Sequence, residues 1–310
     1  MKRFILKMSI FSILPLASLY LIFLLENGTA DPFYQRFVTP KQKALILGNS
    51  KAAQGIIPSI IIEQLADVYQ ANLYNYSFTV YNSPFGPAYL ESVKNKLAEY
   101  DGKRYFIITV DPWSISSDIN DPNNLDKFEE NDRFISDIND VSSNPNVPYL
   151  LKWFSKSYYE IILMRSKNNL SKLNEDGWFM TGENVSKNVM DHQRKLMVDY
   201  YTDYLNKYSL SELRLKYLKE TIGFLKERGD VYLVRMPLHT DILKIEEQVV
   251  IDFDQKIHEL SNLFDVPFFD YSKSVNVFEF KDGLHLDKKS AENFSNQLVE
   301  RISRFEELKN

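Results

Sequence analysis

The sequence predicts an α/β protein: a parallel five-stranded sheet with helices on both faces, an N-terminal apolar helix before it and a long insertion in the middle. Three observations predict this. Short strand-like runs recur at residues 44–47, 71–78, 104–113, 230–239 and 266–272. Amphipathic helical stretches separate them, as right-handed crossovers between parallel strands require. The first 30 residues and the stretch 114–208 fit neither pattern.

The chain opens with "MKRFILKMSIFSILPLASLYLIFLLENGTADP", where Lys2, Arg3 and Lys7 precede a nearly uncharged apolar run over residues 8–25. A helix of that length nearly spans the apolar core of a bilayer. The basic flank is expected to stay in the cytoplasm and the residues after about 30 to lie outside it, facing the periplasm or the cell surface. The length favours an uncleaved anchor over residues 1–30. The rival is a cleaved signal peptide and a secreted chain, because Gly28 and Ala30 are small enough for a signal peptidase. No polar face appears in the run, which argues against a core helix.

A short connector leads to "ALIL", apolar throughout and therefore read as a buried strand, which stops at Gly48-Asn49-Ser50. Residues 56–68 read as a helix with Pro58 in its first turn. "ANLYNYSF" is the second strand; Pro84, Gly86 and Pro87 then break the chain before the amphipathic stretch "AYLESVKNKLAEY". "RYFIITVDPW" is a β-branched and aromatic strand ending at Asp111-Pro112. Residues 114–208, rich in Asn, Asp, Ser and aromatics, read as an insertion of loops and short helices, either a carrier of substrate contacts or a surface elaboration. Regular alternation then resumes. A helix over 210–229, capped at Ser209 or Ser211 and closed by Gly229, precedes the strand "DVYLVRMPLH". A helix over 249–263, the strand "VPFFDYS" and a final helix over 288–308 complete the chain.

Composition narrows the function. A net charge of −5 with pI near 5.6 leaves no basic footprint, so nucleic acid is not an expected partner. With no cysteine the chain has no thiol nucleophile, disulfide or thiolate metal site. Four histidines without an HExxH spacing point away from a dedicated zinc site, and no metal or cofactor is expected.

In a doubly wound sheet the functional crevice lies beyond the carboxyl ends of the strands. Ser50, Asn82, Asp111, His239 and the segment after Tyr271 are expected to meet there. Ser50 stands where a strand hands over to a helix, a position that sets a hydroxyl at the sheet edge beside backbone N–H groups. Its competing role is a helix cap. Before the last helix, "FKDGLHLDKKSAENF" carries Asp282 and His285 three residues apart. That spacing lets the carboxylate hold one imidazole nitrogen while the other faces a serine.

"LGNS" and "DGLHL" together resemble the GDS and DxxH motifs of the SGNH/GDSL hydrolase superfamily, and the element order agrees over about residues 43–120 and 209–308. The resemblance implies a flavodoxin-like three-layer sandwich within residues 31–310, with Ser50 as nucleophile, His285 as general base and Asp282 as the acid that orients it. The pattern departs from the family in two places. An oxyanion-hole glycine after the second strand and the Asn of a GxND motif after the third are replaced by "NYSFTVYNSPFGP" and "ITVDPWS". Asn82 is then the best side-chain oxyanion or substrate-binding candidate; Asp111 either contacts substrate or simply ends its strand, and it would repel a developing oxyanion unless protonated or turned away. The layout of one N-terminal anchor plus such a domain is similar to envelope proteins that move acetyl groups on exported polysaccharides, and to D-alanyl transfer proteins.

The expectation is a membrane-anchored serine esterase or O-acyltransferase whose substrate is an acylated, above all acetylated, glycan or polymer, with the membrane as its other partner. The alternative is a non-catalytic glycan-binding or envelope-polymer assembly protein on the same fold. Trp113, Trp153 and Trp178 are candidates for stacking on sugar rings, or core residues.

Overall fold

The computed structural model describes residues 1–165, 171–182, 186–274 and 277–309. Five parallel strands form the central sheet: β1 (Ala44–Leu47), β2 (Leu73–Asn75), β3 (Tyr105–Thr109), β4 (Asp230–Arg235) and β5 (Phe268–Asp270), in the order β2-β1-β3-β4-β5. This is the flavodoxin-like order, in which the sense of winding reverses between β1 and β3 and opens a crevice at their carboxyl ends. The strands β1 and β3 are buried at every position, as their unbroken apolar runs require.

Helices cover both faces. On one side lie α2 (Ser50–Gly55), α3 (Pro58–Leu65) and the terminal α9 (Lys288–Lys309); Ile46, Ile61, Phe294 and Leu298 share the core there. On the other lie α4 (Pro87–Lys96), α6 (Glu212–Lys226) and α8 (Phe253–Phe264), whose Val93, Leu218 and Ile257 pack with Leu45 and Leu233. The N-terminal α1 (Lys2–Phe23) is exposed along most of its length, but its last turn joins this second core through Leu19 and the buried Phe23.

Several boundaries differ from the sequence expectation, each for a local reason. The chain turns helical already at Ser50, breaks at Ile56-Ile57 and restarts with Pro58 at the first helical position, so a short helix precedes the one expected over 56–68, which runs from Pro58 to Leu65. Regular strand β2 ends at Asn75, although Tyr76 and Phe78 still donate backbone N–H bonds to Ile46 and Gly48. The helix α4 stops at Lys96 because Lys96 and Ala98 are taken up by a backbone bridge to Gln42. Ser211 caps α6, its Oγ accepting from the Arg214 N–H at 3.2 Å. Between β4 and α8 a further helix, α7 (Thr240–Val249), replaces the expected loop.

The insertion is more ordered than expected. It holds α5 (Lys187–Leu205), a 19-residue helix packed on α7, as well as short helices Val147–Lys152 and Tyr158–Met164. Two antiparallel pairs, Ser116–Asp118 with Tyr208–Leu210 and Lys172–Leu173 with Phe179–Met180, join its two ends to each other and form a hairpin in its middle.

Candidate active site

The site begins at a constraint on Gly48. Its φ is +151°, and a Cβ there would stand 1.8 Å from Thr109 Oγ1, so only glycine lets β1 pass β3 and turn at once into α2. The next residue, Asn49, caps the helix: its Oδ1 accepts from the Lys51 N–H at 3.1 Å. That leaves Ser50 as the first helical residue instead of the cap, with its hydroxyl free for another partner and its backbone N–H without an intrahelical acceptor.

The partner comes from the far end of the chain. Asp282-Gly283 makes a turn in which Gly283 has φ +85° and a Cβ would press on Arg194 and Ile242. Asp282 Oδ1 accepts from the Leu284 and His285 N–H groups at 2.9 and 2.8 Å, which fixes the carboxylate. Its Oδ2 lies 2.7 Å from His285 Nδ1, and His285 Nε2 lies 2.9 Å from Ser50 Oγ. Just beyond, Asp287 Oδ1 accepts from the Ser290 N–H as α9 begins, so the histidine sits on a short strap between a turn and a helix start.

Electrostatics decide the proton positions. Burial works to raise Asp282, but His285 and the two backbone N–H donors overcome it and hold the carboxyl at about 2. An ionised carboxylate can only accept, so His285 Nδ1 carries the hydrogen, and in the neutral ring Nε2 is left to accept from the Ser50 hydroxyl. The three residues stand in hydrogen-bonded series, an arrangement that can serve as nucleophile, base and orienting acid.

Behind Ser50 runs a buried ionic chain. Asp111 Oδ2 accepts from Asn49 Nδ2 at 2.6 Å and from Lys51 Nζ at 3.0 Å; Lys51 also reaches Glu246 Oε2 at 2.8 Å. Glu246 in turn meets Arg235 at 3.1 Å, and Arg235 meets Asp254 at 2.6 Å. Burial alone would lower Lys51; Asp111 and Glu246 outweigh it and raise the lysine instead. Asp111 Oδ1 accepts from the Ser114 N–H at 2.9 Å, so both carboxylate oxygens are engaged and the charge is offset by Lys51. The repulsion expected of Asp111 is thereby answered inside the fold.

Asn82 is buried in the loop after β2, where its Nδ2 donates to Thr79 Oγ1 at 2.8 Å. In the same loop Ser83 Oγ donates to Gly48 O at 2.7 Å, pinning it over the β1–α2 turn. His239 comes near through its backbone, its N–H donating to Gly283 O at 3.0 Å, while its ring caps α7 by accepting from the Asp241 N–H. Burial and then Arg194 lower its pKa.

Two further features border the site. A narrow aromatic pocket is enclosed by Val80, Tyr81, Trp113, Tyr200, Tyr201 and Tyr204. The buried indole Nε1 of Trp113 has no hydrogen-bond partner among the described residues. Trp178 instead belongs to the core, donating to Gln54 O at 2.9 Å, and Trp153 donates to Asp137 Oδ2 at 2.9 Å. On the other side Lys281 Nζ donates to Gln54 Oε1 at 2.8 Å and to Thr181 Oγ1, with burial lowering it to about 8. Gln54 stands four residues after Ser50, one helical turn along the same face.

The structure thus brings Ser50, Asp282 and His285 together, sets Asp111 beneath them and keeps Asn82 in the loop alongside. Sequence reasoning missed Asn49 as cap, the Lys51–Glu246–Arg235 chain and Lys281. The only local signal for the first two was a lysine inside the otherwise small and apolar "SKAAQG".

No family model matches the chain, and no curated protein matches it. Among solved structures it is similar to Est24, a carbohydrate acetylesterase from Sinorhizobium meliloti, with 11% identity, 86% of this chain and 100% of that chain covered, and a TM-score of 0.40. It is also similar to the inhibitor-bound form of an aryl esterase from M. smegmatis, with 13% identity, 85% and 99% of the two chains covered, and a TM-score of 0.36.

Proposed function

We propose that this chain is a membrane-anchored serine esterase or acyltransferase of SGNH type that works through an acyl-Ser50 intermediate. The observation that carries the reading is the unbroken series Ser50 Oγ, His285 Nε2, His285 Nδ1 and Asp282 Oδ2, at 2.9 and 2.7 Å.

In this mechanism Ser50 Oγ attacks the acyl carbonyl as its proton passes to His285 Nε2. Asp282, ionised throughout, stabilises the imidazolium that forms. Collapse of the tetrahedral intermediate breaks the bond to the leaving alcohol, which takes the proton from His285 and departs. The acyl group stays on Ser50 until a second hydroxyl, deprotonated by His285, attacks it. Water as that acceptor makes the protein an esterase; a sugar hydroxyl makes it an acyltransferase. The Ser50 N–H at the start of α2 supplies one oxyanion donor, and the loop 79–86 is the source of a second.

The proposed substrate is an acyl ester, above all an acetyl ester, of an exported or surface glycan. It rests on the resemblance of the two motifs and on the anchor, which sets the site outside the cytoplasm. Retention of the anchor is supported by packing: Phe23, Glu26 and Ala30 are 2%, 5% and 2% exposed, and cleavage after residue 28 or 30 would strip buried Phe23 and Glu26 from the fold.

The test is labelling of the full chain in detergent with a fluorophosphonate serine probe, against Ser50→Ala and His285→Ala. The reading expects labelling of the wild type that both variants lose. A folded wild type that takes no label overturns it and leaves the glycan-binding reading.

A further inference from the structure

The membrane helix is too short to hold the rest of the chain clear of the bilayer. Its apolar run, residues 8–25, gives about 27 Å of helix at about 1.5 Å per residue, already just under the roughly 30 Å of a bilayer's apolar core. Yet the last turn of that run is packed against the folded part: Leu19 leans on the core, Phe23 is 2% exposed, and the Phe23 and Tyr158 rings meet edge to face at 5.1 Å. If residues 19–25 stood in water with the fold, residues 8–18 would remain to cross, about 16 Å, about half of what is needed. A charged flank of Lys2, Arg3 and Lys7 cannot make up the difference.

What touches the last turn of α1 must therefore sit at the depth of that turn. The element in contact is the short helix Tyr158–Met164 of the insertion, and the helix Val147–Lys152 lies against it, Tyr158 OH donating to Leu150 O at 3.0 Å. Their outward side suits this position. Leu151, Tyr159, Ile162 and Leu163 are 59%, 63%, 46% and 44% exposed, a cluster of large apolar side chains that water would not favour. Lys156 stands beside them with an exposed side chain, placed to meet the phosphates of lipid headgroups, while Lys152 pairs with Asp137 at 2.9 Å. Tyr159 is a residue that favours the interface, where an apolar ring body and a polar tip are both satisfied.

We propose that residues 147–165 form a second membrane contact, lying in the headgroup region of the leaflet from which α1 emerges, and that the domain is seated on the bilayer by this contact instead of hanging from a flexible tether. The inference rests on α1 being retained as the anchor proposed above, and is independent of the chemistry at Ser50. Its functional consequence is a fixed height and tilt of the serine site, which selects acyl groups presented near the membrane surface.

The chain has no cysteine, so single cysteines report cleanly. The full chain is reconstituted into vesicles of phosphatidylethanolamine and phosphatidylglycerol. An environment-sensitive fluorophore is placed in turn at Leu14→Cys in α1, Ile162→Cys in the proposed contact and Leu263→Cys on exposed α8, and lipids carrying a nitroxide quencher are added. The proposal expects blue-shifted, strongly quenched emission at 14 and 162 and water-like, unquenched emission at 263. Quenching at 14 with water-like emission at 162 overturns the second contact and leaves the anchor intact. Water-like emission at both 14 and 162 overturns the anchor, and the contact with it.

Discussion

Replacing Asp282 by asparagine isolates the part of the site that orients and charges the base. The carboxyl is held at about 2 against an ordinary 3.8, so the folded surroundings favour its ionised form by about 2.4 kcal/mol. Most of that is the interaction with His285 and the Leu284 and His285 N–H groups, working against burial. Loss of the charge by itself withdraws stabilisation from the imidazolium that forms during acylation and so slows that step. Asparagine adds a second cost. Its Oδ1 can keep the two backbone N–H bonds, but its Nδ2 then donates to His285 Nδ1, which pushes the ring hydrogen to Nε2, where it faces Ser50 and cannot accept a proton. The combined expectation is a loss of about 10³ to 10⁴ in the acylation rate. The assay is the second-order rate of fluorophosphonate labelling near pH 7.5, followed by the intensity of the labelled band, with a thermal melt to confirm folding. A folded Asp282→Asn chain labelled within tenfold of the wild-type rate refutes the assigned roles.

The remaining predictions concern the frame around the site. Lys51→Met leaves Asp111 as an uncompensated buried carboxylate and Glu246 with Arg235 alone, and is expected to cost about 3–5 kcal/mol, read as a fall in the urea midpoint; an unchanged midpoint would contradict the pairing. Gly48→Ala drives a methyl into Thr109 Oγ1 and is expected to abolish folding or lower the melting point sharply, with Gly48→Ala/Thr109→Ala recovering part of the loss; no recovery means that the positive φ dominates. Lys96 is buried with its Nζ donating to Thr39 O, Thr39 Oγ1 and Val141 O, and burial lowers it from 10.5 to about 7. The folded form therefore binds fewer protons than the unfolded one between those values, so this group adds stability as pH rises from 7 toward 10.5. Stability of Lys96→Met measured at pH 7 and 9 is expected to lack that rise; equal slopes in the two chains would refute it.

The strands and the two site motifs were legible because each is a local signal. An unbroken apolar run that stops at Gly-Asn-Ser, and an Asp and His three residues apart before an amphipathic helix, can be read without knowing what lies opposite. The helix α5 was not legible, because Tyr201 is its one buried residue and a mostly solvated helix shows little apolar period. The helix α7 carries a readable spacing in Ile242, Ile245 and Val249, but Pro237, between the end of β4 at Arg235 and the helix, masks its start. The ionic chain under Ser50 is beyond any local reading: Lys51 and Glu246 are 195 positions apart, and nothing in either neighbourhood announces the other. The surroundings of Asp111 are beyond a local reading for the same reason. Read alone, Asp111 is a repulsive charge; paired with Lys51 and Asn49 it is a strut that holds the start of α2.

The central claim is that Ser50 takes an acyl group from an ester. The most direct measurement is peptide mass spectrometry of the full chain quenched in acid during turnover of p-nitrophenyl acetate. The account predicts one added acetyl group on the peptide that contains Ser50, absent from Ser50→Ala and from His285→Ala. Acetylation confined to lysines, equal in all three proteins, would contradict it.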